Sequence, residues 1–282
     1  MRRFYSALKR RLGAKWRASL LFLMQGLTFF AGDAAAELLI SPLRQVVTQK
    51  TPTAVYEIAN SSDRAVDVKV RWIDLEATKT GYELASPDFR RITSAAPYLI
   101  VSPTEKRLSP GERFSVEVSL REGSFPPVGE RRSHLLVESQ AIRRPLRRAS
   151  NTMPADIDLG VSTPVMLRIG ELKRPTAFFE ATRFSRDFDG SLRIRSEIVS
   201  EGDMSPYGEV IAEFNEKGGG EPVEIGRVAN ISAYRGSPPR AISIKFGLES
   251  LSAGTLTLKY VGVAEYAGVL FASETFDVAP PE

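Results

Sequence analysis

The chain has 282 residues, 38 Lys and Arg against 34 Asp and Glu, a formal net charge of +4, and no cysteine. The lack of cysteine removes disulfides, thiolate nucleophiles and cysteine-ligated metals together. Residues 1–36 hold seven of the basic residues and one acid, which leaves 31 basic and 33 acidic residues in the remainder, so a general nucleic-acid-binding role loses its electrostatic support.

The first 36 residues have the three parts of a secretory signal. A basic region (Arg2, Arg3, Lys9, Arg10, Arg11, Lys15, Arg17) precedes the apolar run 18–31, and Ala34-Ala35-Ala36 supplies the small residues of a cleavage site, expected before Glu37. The run is shorter than the roughly 20 residues that span a bilayer. A retained anchor is the alternative reading of the same run. No later segment has the length and apolarity of a span, so the mature chain is expected to be exported, without a membrane span after cleavage.

From Leu38 onward, short alternating segments are separated by Pro, Gly, Asn and Asp. Residues 54–58, 66–72, 98–101, 114–120 and 133–137 read as strands, with turns at Asn60-Ser61-Ser62-Asp63 and Ser109-Pro110-Gly111. No convincing helix appears. Arg143, Arg144, Arg147 and Arg148 open a polar loop, read first as a solvated one. Next comes the most regular stretch of the chain, residues 157–169. Ile157, Leu159, Val161, Thr163, Val165, Leu167 and Ile169 share one parity, a period of two that only an extended strand can gather on one face. Pro164 lies on the other parity and has no N–H to give, which predicts an edge strand. Serving its own sandwich core is the plainest use of such a row.

Lys173-Arg174-Pro175 marks the expected domain boundary. Beyond it, residues 192–198, 209–214, 242–246, 255–261 and 270–278 repeat the all-β style, with a hairpin signal at Asp189-Gly190 and a flexible turn at Gly218-Gly219-Gly220. The expected fold class is all-β: two immunoglobulin-like β-sandwich domains in an elbow arrangement, 37–172 and 173–282, behind a cleaved signal peptide at 1–36.

Signs of catalysis are sparse. His134 is the one histidine and falls inside an apolar strand, where a satisfied hydrogen bond is expected. Without a second His or any Cys, metal sites and Ser-His-Asp triads lose their usual context. No nucleophile elbow, Walker sequence or dinucleotide fingerprint is present. Nothing positive supports a carboxylate-pair hydrolase. No enzyme, cofactor or metal is expected.

Several segments together resemble the PapD-like periplasmic pilus chaperones, nearest to the archaic or spore-coat-type branch. They are Leu99-Ile100-Val101-Ser102-Pro103 with Leu108-Ser109-Pro110-Gly111-Glu112, Arg131-Arg132-Ser133-His134-Leu135-Leu136, Ser162-Thr163-Pro164-Val165-Met166-Leu167-Arg168, Ser205-Pro206-Tyr207-Gly208, and the stretch from Gly226 to Tyr234. The resemblance spreads over nearly all of residues 38–278. It implies a periplasmic chaperone that lends a strand to pilin or fimbrial subunits, a form of β-strand addition, and passes them to an outer-membrane usher. The donor residues it implies are Leu159, Val161, Thr163, Val165 and Leu167, with the parity that meets the subunit left open. It also implies a basic anchor for the subunit's C-terminal carboxylate. Arg44, in Leu43-Arg44-Gln45-Val46-Val47, matches the first anchor position. The second, a Lys elsewhere in the family, falls near Pro164 where no Lys stands, and Arg168 is the substitute. Free chaperones of this kind would have edges able to self-associate. An exported structural or adhesive binding module is the competing reading of the same sandwiches.

Overall fold

Alternation of apolar and polar residues builds the clearest strands, as in Thr53–Asn60, Arg113–Leu120 and Gly254–Gly262. The computed structural model describes residues 38–141, 159–246 and 251–279. The expected signal peptide, the arginine loop from Arg143 to Arg148, and Ile157 lie outside the described residues.

In chain order the first half contains β1 (Leu38–Ser41), β2 (Gln45–Thr48), β3 (Thr53–Asn60), β4 (Val66–Ile73), β5 (Leu75–Ala77), β6 (Tyr82–Leu84), a short helix α1 (Pro87–Thr93), β7 (Leu99–Ser102), β8 (Glu105–Leu108), β9 (Arg113–Leu120), β10 (Gly129–Ala141) and β11 (Leu159–Ile169). Two sheets face each other, one in the order β1-β3-β9-β7 and one in the order β2-β11-β10-β4-β8. Between them pack Tyr56, Ile58, Val116, Leu135, Val165 and Leu167, all fully buried. β5 and β6 form a separate two-stranded hairpin. Helix α1 was not expected from the pattern, because seven residues are too few to show a 3.6-residue period. Its start was nonetheless written locally: Ser86 caps the Phe89 N–H, followed by Pro87 and an acid, Asp88, in the first turn.

The second half contains β12 (Thr176–Arg186), β13 (Leu192–Glu201), β14 (Tyr207–Glu216), β15 (Val223–Ser232), β16 (Arg240–Lys245), β17 (Gly254–Gly262) and β18 (Leu270–Val278). They form the sheets β12-β13-β16 and β15-β14-β17-β18 around Ile194, Ile198, Val210, Phe246, Leu256 and Tyr260. The protein is thus built of two β-sandwiches. The first core ends at Ile169 and the second begins at Ala177, and Lys173-Arg174-Pro175 lies in the connection.

One expectation for β11 is corrected. It is not an edge strand along its whole length, because β2 runs parallel to it, pairing Gln45, Val46, Val47 and Thr48 with Val165, Met166, Leu167 and Arg168. Pro164 stands immediately before that ladder begins. From Leu159 to Pro164, β10 is the only ladder partner of β11 among the described residues.

Candidate functional site: the arginine cleft beside β11

Parity decides what β11 and β10 offer to each side. Their register pairs Glu130 with Arg168, Arg132 with Met166, and His134 with Pro164. Cross-strand partners share a face, so these even-numbered residues stand together, away from the core that takes Leu135, Val165 and Leu167. The face they form meets the strand ends of the second sandwich. Met166 is buried with Ala77 and Tyr234, and Val46 packs against them.

The two predicted anchor arginines are brought together here, on a carboxylate of the protein itself. The Arg44 side chain is 1% exposed; its Nη2 lies 3.2 Å from Glu265 Oε1. Nη1 donates to Ser232 Oγ at 2.9 Å and Nη2 to the Ser205 carbonyl at 3.4 Å, with the guanidinium 4.7 Å from the centre of the Tyr207 ring. Arg168 Nη2 reaches the same Glu265 oxygen at 3.3 Å and donates to the Tyr266 hydroxyl at 2.9 Å. Its Nε donates to Glu130 Oε2 at 2.8 Å. Burial opposes the Arg168 charge, but Glu130 and Glu265 outweigh it and hold the guanidinium above its ordinary value. Glu130 is fully occupied, because its other oxygen accepts from the Ser205 N–H at 2.9 Å and from the Ser205 hydroxyl.

Glu265 sits on a single 3-10 turn, Ala264–Tyr266, that folds back over β14 and β17. Gly262, paired with Gly208 across those strands, makes room for it. A Cβ at position 262 would stand 2.3 Å from the Tyr266 carbonyl oxygen, so no larger residue fits without moving the turn. Ala264 enters the turn with φ of 52°, the left-handed region that residues with a side chain rarely adopt.

A third arginine, not singled out from the sequence, stands differently. Arg132 is 9% exposed, donates from Nη2 to the Leu75 carbonyl at 3.0 Å, and lies over the Tyr234 ring at 3.5 Å. No carboxylate of the described residues lies within ion-pair distance of it. Burial pulls its guanidinium below the ordinary value. The Tyr234 hydroxyl is 3.4 Å from that of Tyr82, and the Tyr82 ring meets His134 edge-on at 5.4 Å.

His134 corrects a second expectation. It is 2% exposed, yet neither ring nitrogen has a hydrogen-bond partner among the described residues. Burial, reinforced by the charge of Arg132, holds its pKa down to about 3, so the ring stays neutral.

The expected donor residues separate along the strand. Thr163, Val165 and Leu167 are buried, and Val165 and Leu167 belong to the first sandwich's own core. The Thr163 hydroxyl donates to the Leu43 carbonyl at 2.6 Å. Val161 is half-buried, and the Leu159 backbone pairs with Ser139. Among the described residues no group of His, Cys, Asp and Glu is arranged to hold a metal, and no helix is long and apolar enough to cross a membrane.

No protein-family profile matches the chain, and no curated protein sequence does. Among solved structures it is similar to the chaperone of the CsuC–CsuE chaperone–tip adhesion subunit complex of Acinetobacter baumannii archaic Csu pili (12% identity, 88% of this chain and all of that one, TM-score 0.43). It is likewise similar to the E. coli chaperone DraB (12% identity, 86% and 95%, TM-score 0.41) and to a chain of the Salmonella enterica complex of SafA pilin with the SafB chaperone (12% identity, 86% and 96%, TM-score 0.40).

What the site missed from sequence is instructive. Glu130 and Arg132 open an apolar strand on the parity opposite its core residues, a signal that was readable. Glu265 has no such signal, because the turn Val263-Ala264-Glu265-Tyr266-Ala267 looks like any other loop.

Proposed function

We propose that the chain is a periplasmic chaperone for pilin or fimbrial subunits, acting by donor-strand complementation and delivering them to an outer-membrane usher. The observation that carries this reading is the half-closed margin of β11. Among the described residues its backbone is laddered on both sides over Val165–Arg168 but on one side only from Leu159 to Pro164. An open strand margin invites pairing with another chain, and an incomplete sandwich would gain main-chain hydrogen bonds there together with apolar side chains at alternate positions. The burial of Val165 and Leu167 in their own core narrows the donor set to Leu159 and Val161, and to residues upstream. On this reading Arg44 and Arg168 anchor the subunit's C-terminal carboxylate, which exchanges with Glu265. No catalytic role is proposed.

The burial of Thr163, Val165 and Leu167 equally suits an exported adhesive module whose long strand serves only itself. Co-expression with candidate subunits separates the two. Leu159→Asp with Val161→Asp is expected to remove subunit capture while the variant stays folded. Capture undiminished in a folded double variant would retire the donor-strand reading.

A further inference from the structure

Among the described residues, β5 and β6 are the strands of the first half that join neither of its two sheets, and none of the residues Leu75–Leu84 belongs to its core. A lone two-stranded hairpin is marginal in water. This one has three residues in each strand and sets Glu76 directly opposite Glu83, a like-charge pair that works against it. Its order therefore comes from what it docks against, which is largely the second sandwich. At the tip, the Lys79 carbonyl accepts from the Ala241 N–H at 2.8 Å, giving a main-chain partner to β16, the strand that ends its sheet. Lys79 Nζ lies 2.8 Å from Glu197 Oε1, and Glu197 is the β13 residue opposite Ala241. Nearer the base, Tyr234, from the connection between β15 and β16, enters a slot of the first half. Arg132 lies over its ring at 3.5 Å, the Tyr82 ring stands 6.2 Å away at 57°, and Ala77 and Met166 are buried with it. Arg240 in turn brings its guanidinium to 5.9 Å from the centre of the Tyr82 ring. Side chains of the two halves thus interlock, and this contact shares no residue with Arg44, Glu265 and Arg168.

We infer that the β5–β6 hairpin is a clasp between the sandwiches, a second restraint that keeps their relative orientation when Glu265 lets go of Arg44 and Arg168. Two contacts acting in parallel hold each other's partners close, so reclosing either one is an intramolecular event with a high effective concentration. Either contact alone then keeps the two halves in place while the other opens. Within the clasp, the exposed Lys79–Glu197 pair contributes little by itself. Most of the hold comes from the buried Tyr234 ring, set between a guanidinium and a second ring. A hairpin that is marginal alone suits this task, because it can leave and redock without disturbing either core. The use of the clasp during carboxylate exchange rests on the chaperone reading; the clasp itself does not, and its test involves no subunit.

The chain has no cysteine, so Ser115→Cys on β9 and Ser273→Cys on β18, both exposed, place one spin label on each sandwich of the purified mature chain. Double electron–electron resonance then reads the spread of distances between the two labels. A single narrow distance is expected in the labelled chain, and it should stay narrow in Glu265→Ala and in Tyr82→Ala with Lys79→Glu. All three substitutions together should widen the spread at least twofold. Because Tyr82 also meets His134, Lys79→Glu alone in the Glu265→Ala background provides a milder route. It sets two acids against each other at the tip and should widen the spread, and Glu197→Lys should narrow it again by restoring the pair with its signs exchanged. A spread in Glu265→Ala as wide as in the triple variant overturns the clasp, since the hairpin would then hold nothing. A triple variant as narrow as the parent overturns it too, as does a hairpin variant that is already as wide as the triple, or a Lys79→Glu effect that Glu197→Lys leaves unchanged. Subunit capture on co-expression is scored separately: a failed clasp leaves the chaperone reading standing, and failed capture leaves the clasp.

Discussion

The two halves of β11 carry the same alternating pattern and meet different neighbours. Over Val165–Arg168 the strand lies between β10 and β2, and its odd residues fill the first sandwich. From Leu159 to Pro164 the β2 ladder is gone and Val161 is only half-buried. Alternation therefore says that a strand has an apolar face, while the elements opposite decide whether that face belongs to its own core or stays available.

The sharpest way to break this comparison is Leu167→Asp. It puts a carboxylate where the side chain is fully buried, and should cost more than about 4 kcal/mol, combining a lost core side chain with a buried charge. Against a total stability of about 5–15 kcal/mol for a typical domain, that should abolish or broaden the cooperative urea transition. A transition unchanged by this substitution would mean that the closed half is not core.

Glu265→Ala comes next. It removes the carboxylate shared by Arg44 and Arg168 and leaves two mostly buried guanidiniums short of a partner. Breaking a buried pair costs about 3–5 kcal/mol, but the Glu265 side chain is 24% exposed. Solvent screening reduces the expected loss to about 2 kcal/mol, read as a lower urea midpoint. Glu265→Gln should lose less, because an acceptor oxygen remains.

The third effect belongs to His134, which faces Arg132 and Tyr82 beside the open half of β11. Its folded pKa lies below the usual value of 6.5, at about 3. The unfolded chain therefore takes up the proton first. The contribution is intact above about pH 6.5 and is lost as the pH falls towards 3, at up to about 1.4 kcal/mol per pH unit. Urea titrations at pH 7 and pH 5 should differ by about 2 kcal/mol from this group, and His134→Leu should flatten the difference. A wild-type midpoint independent of pH across this interval would show that the ring is not held neutral.

Val161→Asp should have the smallest effect on folding, within about 1 kcal/mol, since Val161 is only half-buried. Set beside Leu167→Asp, it tests whether the two halves differ in stability as they differ in burial. Equal destabilisation by the two would erase the distinction.

Most strands were legible because each carries its own alternation: β3 hides Ala54, Tyr56 and Ile58, and β17 hides Leu256, Leu258 and Tyr260. The cleft was less so. Arg44 was found through its resemblance to an anchor position, and Arg168 was named as a substitute. The place of Glu265 does not follow from neighbours in the chain, since Arg44 and Glu265 meet across more than two hundred residues.

The sequence by itself determined the all-β class, the turns, and the parity of β10 and β11, because a period of two is a local property of an extended backbone. Only the tertiary structure decided that β2 closes one half of β11, that Glu265 already occupies the arginine pair, and that Arg132 is left without a carboxylate of the described residues. Burial and charge pairing depend on which distant segments come to lie opposite one another, and no local pattern in the chain records that.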